Sequence, residues 1–288
     1  MRSGLGRPID IRLMSNRFAV VAAALAGLAA GGWRLFLTDD ALARSVGGGF
    51  LAGAVSFFSW ALLREIDPDR PWLAGVAGVT VPAALWWGDP SVWSLLFAML
   101  VARVMARTTG VAPQAVDLVV VVGCGLTAVL VDGALVVAVA GAAGLGVDTV
   151  LPGEGRRRVV VSGVVLTGGA VVLSLAAVDP IGSITPTASQ TWVFVGMGVF
   201  ALVAATGPQR LRSAADRHDR PVLPRRVTAA RLFVAAAGGA LLLLHGGRVL
   251  ASAATLLGAV ALVGAADLVQ LVMRSNSRRA NRSVIPDT

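Results

Sequence analysis

Lysine and tyrosine are absent from these 288 residues, cysteine occurs once and histidine twice. The single cysteine, Cys124, lies within an apolar run, which excludes a disulfide framework and a cysteine-rich metal centre and leaves it the role of a small buried hydrophobe. Two histidines, His218 and His245, are too few for a histidine-rich ligand set. Only 14% of residues are charged, and Glu65 and Glu154 are the only glutamates. All 25 basic residues are arginine. Missing lysine beside abundant Arg, Ala, Val and Gly is the mark of GC-rich coding and suggests a bacterial source.

What fills the chain instead is apolar. Hydrophobic residues make up 56% of it, and mean hydropathy is +0.77. A soluble domain has about 45–50% apolar residues, so this composition calls for lipid as solvent. The 34 glycines and 13 prolines fit the same class, because neighbouring membrane helices satisfy the backbone groups that these residues leave open. The net charge of +9 would suggest nucleic acid in a soluble protein. Here the arginines flank apolar runs, so topology accounts for them and no nucleic-acid partner is expected. Membrane lipids are the partners that the composition implies.

Apolar runs predict an all-α, polytopic bundle with about ten transmembrane helices near 18–37, 46–63, 72–88, 91–106, 117–132, 133–151, 158–178, 191–207, 227–246 and 249–273. The first run leads into Trp33-Arg34-Leu35 rather than a small-residue cleavage site, so it is expected to stay as an anchor. Asp132-Gly133 is the only break in roughly thirty apolar residues, and one straight helix of that length would overshoot a bilayer of about 30 Å. A tight hairpin is therefore expected there. Charge placement agrees: with ten spans and the first end inside, only Arg34, Arg44 and Arg248 fall outside. Merging 117–151 into one span would put Arg156, Arg157, Arg158 and the arginines of 210–231 on the wrong side. The expectation is a bacterial plasma-membrane protein with both termini cytoplasmic, a basic N-terminal segment 1–17, one transmembrane domain 18–273 and a basic tail 274–288. Five spans on each side of the hairpin leave room for two inverted halves, 18–132 and 133–273. Such a topology is similar to that of small metabolite permeases built from two inverted halves.

The longest polar segment, 208–226, reads as a basic connector or a short amphipathic helix lying on anionic lipid. Trp33, Trp60, Trp72, Trp86, Trp87 and Trp93 near span ends fit an interfacial belt. Gly47, Gly48, Gly49, Gly53 and Gly141 to Gly146 lack the context of a phosphate loop and predict close helix packing.

One loop departs from the basic pattern. Arg64-Glu65-Ile66-Asp67-Pro68-Asp69-Arg70-Pro71 carries net charge −1 on the inner face. Glu65, Asp67 and Asp69 are a candidate oxygen-ligand set for a divalent cation such as Mg, with Arg64, Arg70, Arg103 and Arg107 placed to hold phosphate and Thr108-Thr109-Gly110 to wrap an anion. The alternative is structural: Glu65 pairs with Arg64, Arg70 or Arg103, while Asp67 and Asp69 cap the turn into the third helix. Asp267 lies about 10 Å of helix inside the last span. An acid at that depth marks an ion path or a paired site, and folding the last two spans together brings it level with Arg231. A Ser162–His245 dyad fails, because the topology puts the two about a bilayer apart.

Three activities fit. A permease-like transporter of an apolar or lipid-like substrate follows from span number, with Asp267 as coupling residue; the sparse hydroxyls in mid-span argue against a polar solute. A membrane-embedded enzyme acting on a polyprenyl phosphate or phospholipid headgroup would use the 64–71 loop and a metal. A non-catalytic assembly subunit is the third.

Overall fold

A computed structural model describes residues 5, 11–38, 41–80, 85, 88–133, 135–151, 156–176, 188–206, 211, 213–215, 218–245 and 250–282. The described residues form ten helices: α1 (Met14–Leu37), α2 (Leu42–Ile66), α3 (Pro71–Thr80), α4 (Val92–Ala106), α5 (Ala115–Asp132), α6 (Leu135–Asp148), α7 (Arg156–Ala176), α8 (Ala188–Thr206), α9 (Pro224–His245) and α10 (Leu250–Arg282). A two-stranded antiparallel pair, β1 (Ala214–Ala215) and β2 (His218–Pro221), precedes α9. Trp86, Trp87, the side chains of His218 and His245, and most of the external connection at 179–190 lie outside the described residues.

Each apolar run contains one helix, but the third, expected over 72–88, is described as helix only from Pro71 to Thr80, about 15 Å and too short to cross a bilayer, and 88–90 are not helical. Local chemistry explains the other boundaries. The Ser91 hydroxyl accepts from the Ser94 N–H at 2.9 Å and starts α4, while Gln114 and Asp117 form a reciprocal capping box at α5. Pro71 and Pro224 occupy first helical positions, where a missing N–H is harmless. The break at Asp132-Gly133 is realised as expected. Gly133 takes a left-handed φ of 64° and returns its N–H to Val129 at 3.0 Å, so α5 stops and α6 begins within three residues.

Of the two readings of 208–226, its described part agrees with the connector: it forms the β pair rather than an amphipathic helix, because Pro221 and Pro224 and the interleaved charges give no apolar helical face. The tail differs from expectation. Beyond residue 273, α10 continues as helix to Arg282, since the polar continuation contains no glycine or proline to stop it.

Four helices, α1, α2, α9 and α10, are long and apolar enough to cross a membrane, and α4 to α8 carry shorter apolar stretches of 10–17 residues. Apolar side chains lie on the outside as well as in the core. Leu28, Phe50, Val164, Trp192 and Leu243 are all more than 60% exposed, a surface that water would penalise and lipid would not. The chain is, on these grounds, a membrane protein with several crossing helices.

Helices α2, α4, α9 and α10 make the centre, with α1 against α2 and α3, α6 against α7 and α9, and α8 against α10. Small residues set the closest crossings. A Cβ added to Gly27 would come within 2.9 Å of the Gly49 carbonyl oxygen, and one on Gly53 within 2.9 Å of the Ala23 oxygen, so α1 and α2 touch backbone to backbone. At Gly264 of α10 an added Cβ would collide with the Phe200 carbonyl of α8. Gly264→Ala is therefore expected to push α8 and α10 apart and cost about 1–3 kcal/mol by overpacking. Gly32→Ala, at a position facing open space, is expected to leave stability unchanged. Thermal unfolding of both variants in one detergent checks the contrast.

Candidate functional site

One end of the bundle gathers the last turns of α2, α4, α6 and α8 and the first turn of α9. The residues at those ends touch. Arg226 Nη1 donates to the Met105 carbonyl at 3.0 Å, and Arg231 donates from Nε to the Ile66 carbonyl at 2.7 Å and from Nη1 to the Ala204 carbonyl at 2.9 Å. These oxygens belong to final turns, where no further intrahelical N–H reaches them and a cation meets the negative end of the helix dipole. Two arginines of α9 thus cap three other helices.

Around them the acids sort into separate groups. Glu65, at 0% exposure, accepts from Arg103 Nε at 2.7 Å and from the Thr108 hydroxyl, while Arg103 Nη1 reaches the Leu5 carbonyl at 2.8 Å. Asp148, also fully buried, takes Arg107 Nη2 on one oxygen at 3.0 Å and Arg226 Nη1 on the other. Arg107 adopts a left-handed φ of 51° as the C-cap of α4, and Gly110 at φ 75° completes the turn. Asp67 accepts from Arg70 Nε at 2.6 Å and lies 3.7 Å from Arg231 Nη2. Asp267 binds Arg70 Nη2 at 2.7 Å and Arg231 Nη1 at 3.4 Å. Asp69 accepts from the Ser213 N–H at 2.9 Å and hydroxyl at 2.5 Å, tying the α2–α3 loop to the segment before β1. Arg64 donates to Asn16 at 3.0 Å and lies 5.3 Å from the centre of the Trp60 ring, a cation–π distance.

Burial pushes the Asp67 carboxyl above its ordinary value, with the Arg70 and Arg231 guanidiniums acting in the opposite direction.

The structure brings Glu65 to Arg103 and Asp267 to Arg231, but it separates the three loop acids. Glu65, Asp67 and Asp69 each engage different partners, and among the described residues no group of three or more His, Cys, Asp and Glu side chains is placed to hold a metal. Thr108 commits its hydroxyl to Glu65 rather than to an anion. Arg107 belongs with Asp148 and Arg226, two residues that sequence reasoning did not single out. The signal was present for Asp148, which lies inside an apolar run much as Asp267 does.

Among the described residues, the opposite end shows fewer such contacts. Arg34 meets Asp89 at 2.6 Å with both side chains partly exposed, and Ser252 Oγ accepts from the Ser91 N–H at 2.8 Å.

No family model matches the chain, and no curated protein or solved structure is similar to it.

Removing one member of a buried ion pair strands the other, at about 3–5 kcal/mol, whereas an exposed pair contributes about 0–1 kcal/mol. Asp148→Ala is accordingly expected to lower the thermal midpoint in detergent sharply, and Asp89→Ala to leave it nearly unchanged. Equal effects would show that burial does not set the weight of these pairs.

Proposed function

We propose that the chain crosses a bacterial plasma membrane ten times with its arginine-rich end and both termini in the cytoplasm. In this reading it works as a small permease-like carrier of an apolar or lipid-like substrate, and the charge network is its closed cytoplasmic gate.

The supporting observation is where the partners come from. Glu65 and Arg103 join α2 to α4, Asp148 joins α6 to α9 and to the end of α4, and Asp67 and Asp267 join the α2–α3 loop to α9 and α10. Contacts of this kind hold helix ends together and are remade when the ends move. An enzyme site would instead turn its acids toward a common reacting group, and the loop acids diverge. The apolar interior suits an apolar or lipid-like substrate better than a polar solute.

Orientation and activity are tested separately. In a Cys124→Ala background, an impermeant maleimide applied to intact spheroplasts is expected to label Thr185→Cys and to spare Arg217→Cys; the reverse pattern would invert the topology. In vesicles, the reconstituted chain is expected to move a fluorescent phospholipid between leaflets faster than protein-free vesicles. No acceleration, together with Mg-dependent turnover of a polyprenyl diphosphate, would transfer the assignment to the enzyme.

A further inference from the structure

Two arginines of the network, Arg70 and Arg107, each keep one buried nitrogen without a hydrogen-bond partner among the described residues, and Arg70 is the one whose open nitrogen is at the end of the guanidinium. Its Nε is used by Asp67 and its Nη2 by Asp267, but Nη1 is buried and has no hydrogen-bond acceptor among the described residues. A buried guanidinium nitrogen without an acceptor is costly, and native structures seldom leave one without a reason. The Nη1–Nη2 edge is also the fork that a carboxylate or phosphate grips with two oxygens. Asp267 fills only half of that fork, because its second oxygen is turned toward Arg231, at a long 3.4 Å.

We propose that Arg70 and Arg231 form an oxyanion site, and that Asp267 is the internal carboxylate occupying it in this closed arrangement. The ligand is the anionic head, carboxylate or phosphate, of an amphiphile. The proposal rests on the carrier reading above and names the class of substrate its gate would admit.

Charge and exposure both single out Asp267 as the group that gives way. With it bound, the cluster holds two carboxylates and two guanidiniums and is neutral. A singly charged oxyanion entering as Asp267 leaves keeps it neutral, whereas an anion added beside Asp267 would bury a net negative charge. Asp267 is 24% exposed at its side chain, so water is within its reach. Asp67 at 2% and Arg231 at 3% have no such exit. Beyond Asp267, Leu268, Leu271 and Met273 present an exposed apolar surface along α10 where an alkyl chain finds cover. Displacing Asp267 would also cut its ion-pair links from α10 to the α2–α3 loop and to α9, so binding and loosening of the gate become one event.

The test uses the full chain in a neutral detergent and measures binding, not transport, so that it fails independently of the carrier reading. Octyl phosphate, octanoate and inorganic phosphate are the probes, at about pH 5.5 so that both phosphates are mainly singly charged, with octyl glucoside as neutral control and the shift of thermal midpoint as readout. Octyl phosphate or octanoate is expected to stabilise the wild type where octyl glucoside does not. If Asp267 fills the fork in nine molecules of ten, Asp267→Asn raises apparent affinity by about tenfold. Arg70→Lys keeps the charge but removes the fork, and is expected to bind at least about tenfold more weakly while still folding. Asp69→Asn adds the same net charge nearby without vacating the site, so its affinity is expected to stay within about twofold of wild type. Tighter binding by the chain-bearing anions than by inorganic phosphate supports a lipid-like source, and equal binding supports a free anion at the same site. The proposal is overturned if Asp267→Asn binds no more tightly than wild type, if Asp69→Asn matches its gain, or if octyl glucoside stabilises as well as the anions.

Discussion

Everything at the arginine-rich end follows from the need to satisfy final-turn carbonyls where water is scarce. Helices α2, α4 and α8 finish there, and their last oxygens have no further backbone partner. Arg226 and Arg231 supply the missing donors from α9, one turn and two turns into that helix. Guanidiniums brought this deep need anions of their own. Asp148 serves Arg226, and Asp67 with Asp267 serves Arg231, which then draws in Arg107 and Arg70. The central place of α9, in contact with α2, α4, α6, α8 and α10, is the packing counterpart of this chemistry.

The two ends of the bundle are held very differently. One has several buried pairs that reach between helices, each with a partner that would be stranded if the other left. Among the described residues, the other shows a partly exposed Arg34–Asp89 pair and a hydrogen bond from Ser91 to Ser252. An exposed pair contributes about 0–1 kcal/mol, whereas removing one partner of a buried pair costs about 3–5 kcal/mol, so ion pairing among the described residues weighs on the first end. Apolar packing does not remove the asymmetry, because the close α1–α2 approach through Gly27, Gly49 and Gly53 binds a helix that lies outside the charged network apart from the contact of Asn16 with Arg64.

The helical order was legible because apolar length and turn chemistry are local. Asp132-Gly133 announced its hairpin, and the runs announced the helices. The Arg231–Asp267 contact was legible for a related reason, since two helices joined by a short turn bring residues of equal depth together. The rest of the site was not local. Glu65 finds Arg103 thirty-eight residues away, and Asp148 finds Arg226 seventy-eight away; no spacing in the chain encodes either. Nearness in sequence misled in the 64–71 loop. Glu65 lies on the last turn of α2, Asp67 leaves that turn at φ −146°, and Asp69 follows Pro68, so three neighbouring acids point to three different partners.

Burial also separates what is permanent in the network from what can cycle. Asp148 and Glu65 have no contact with solvent, and freeing either would leave a charge in a medium that cannot hydrate it. Such pairs fix helix ends in place whether or not anything passes between them. Asp267 differs from them, because its side chain is 24% exposed and it reaches the cluster from α10. It holds two guanidiniums of two other elements, so its departure would cut the charged links of α10 to the α2–α3 loop and to α9 while the other buried pairs stay made. The close approach of Gly264 to Phe200 keeps α10 against α8 whether or not those links exist. In the proposal made above, the half-satisfied fork of Arg70 is what favours the exchange, because an incoming oxyanion completes a set of hydrogen bonds that Asp267 leaves open.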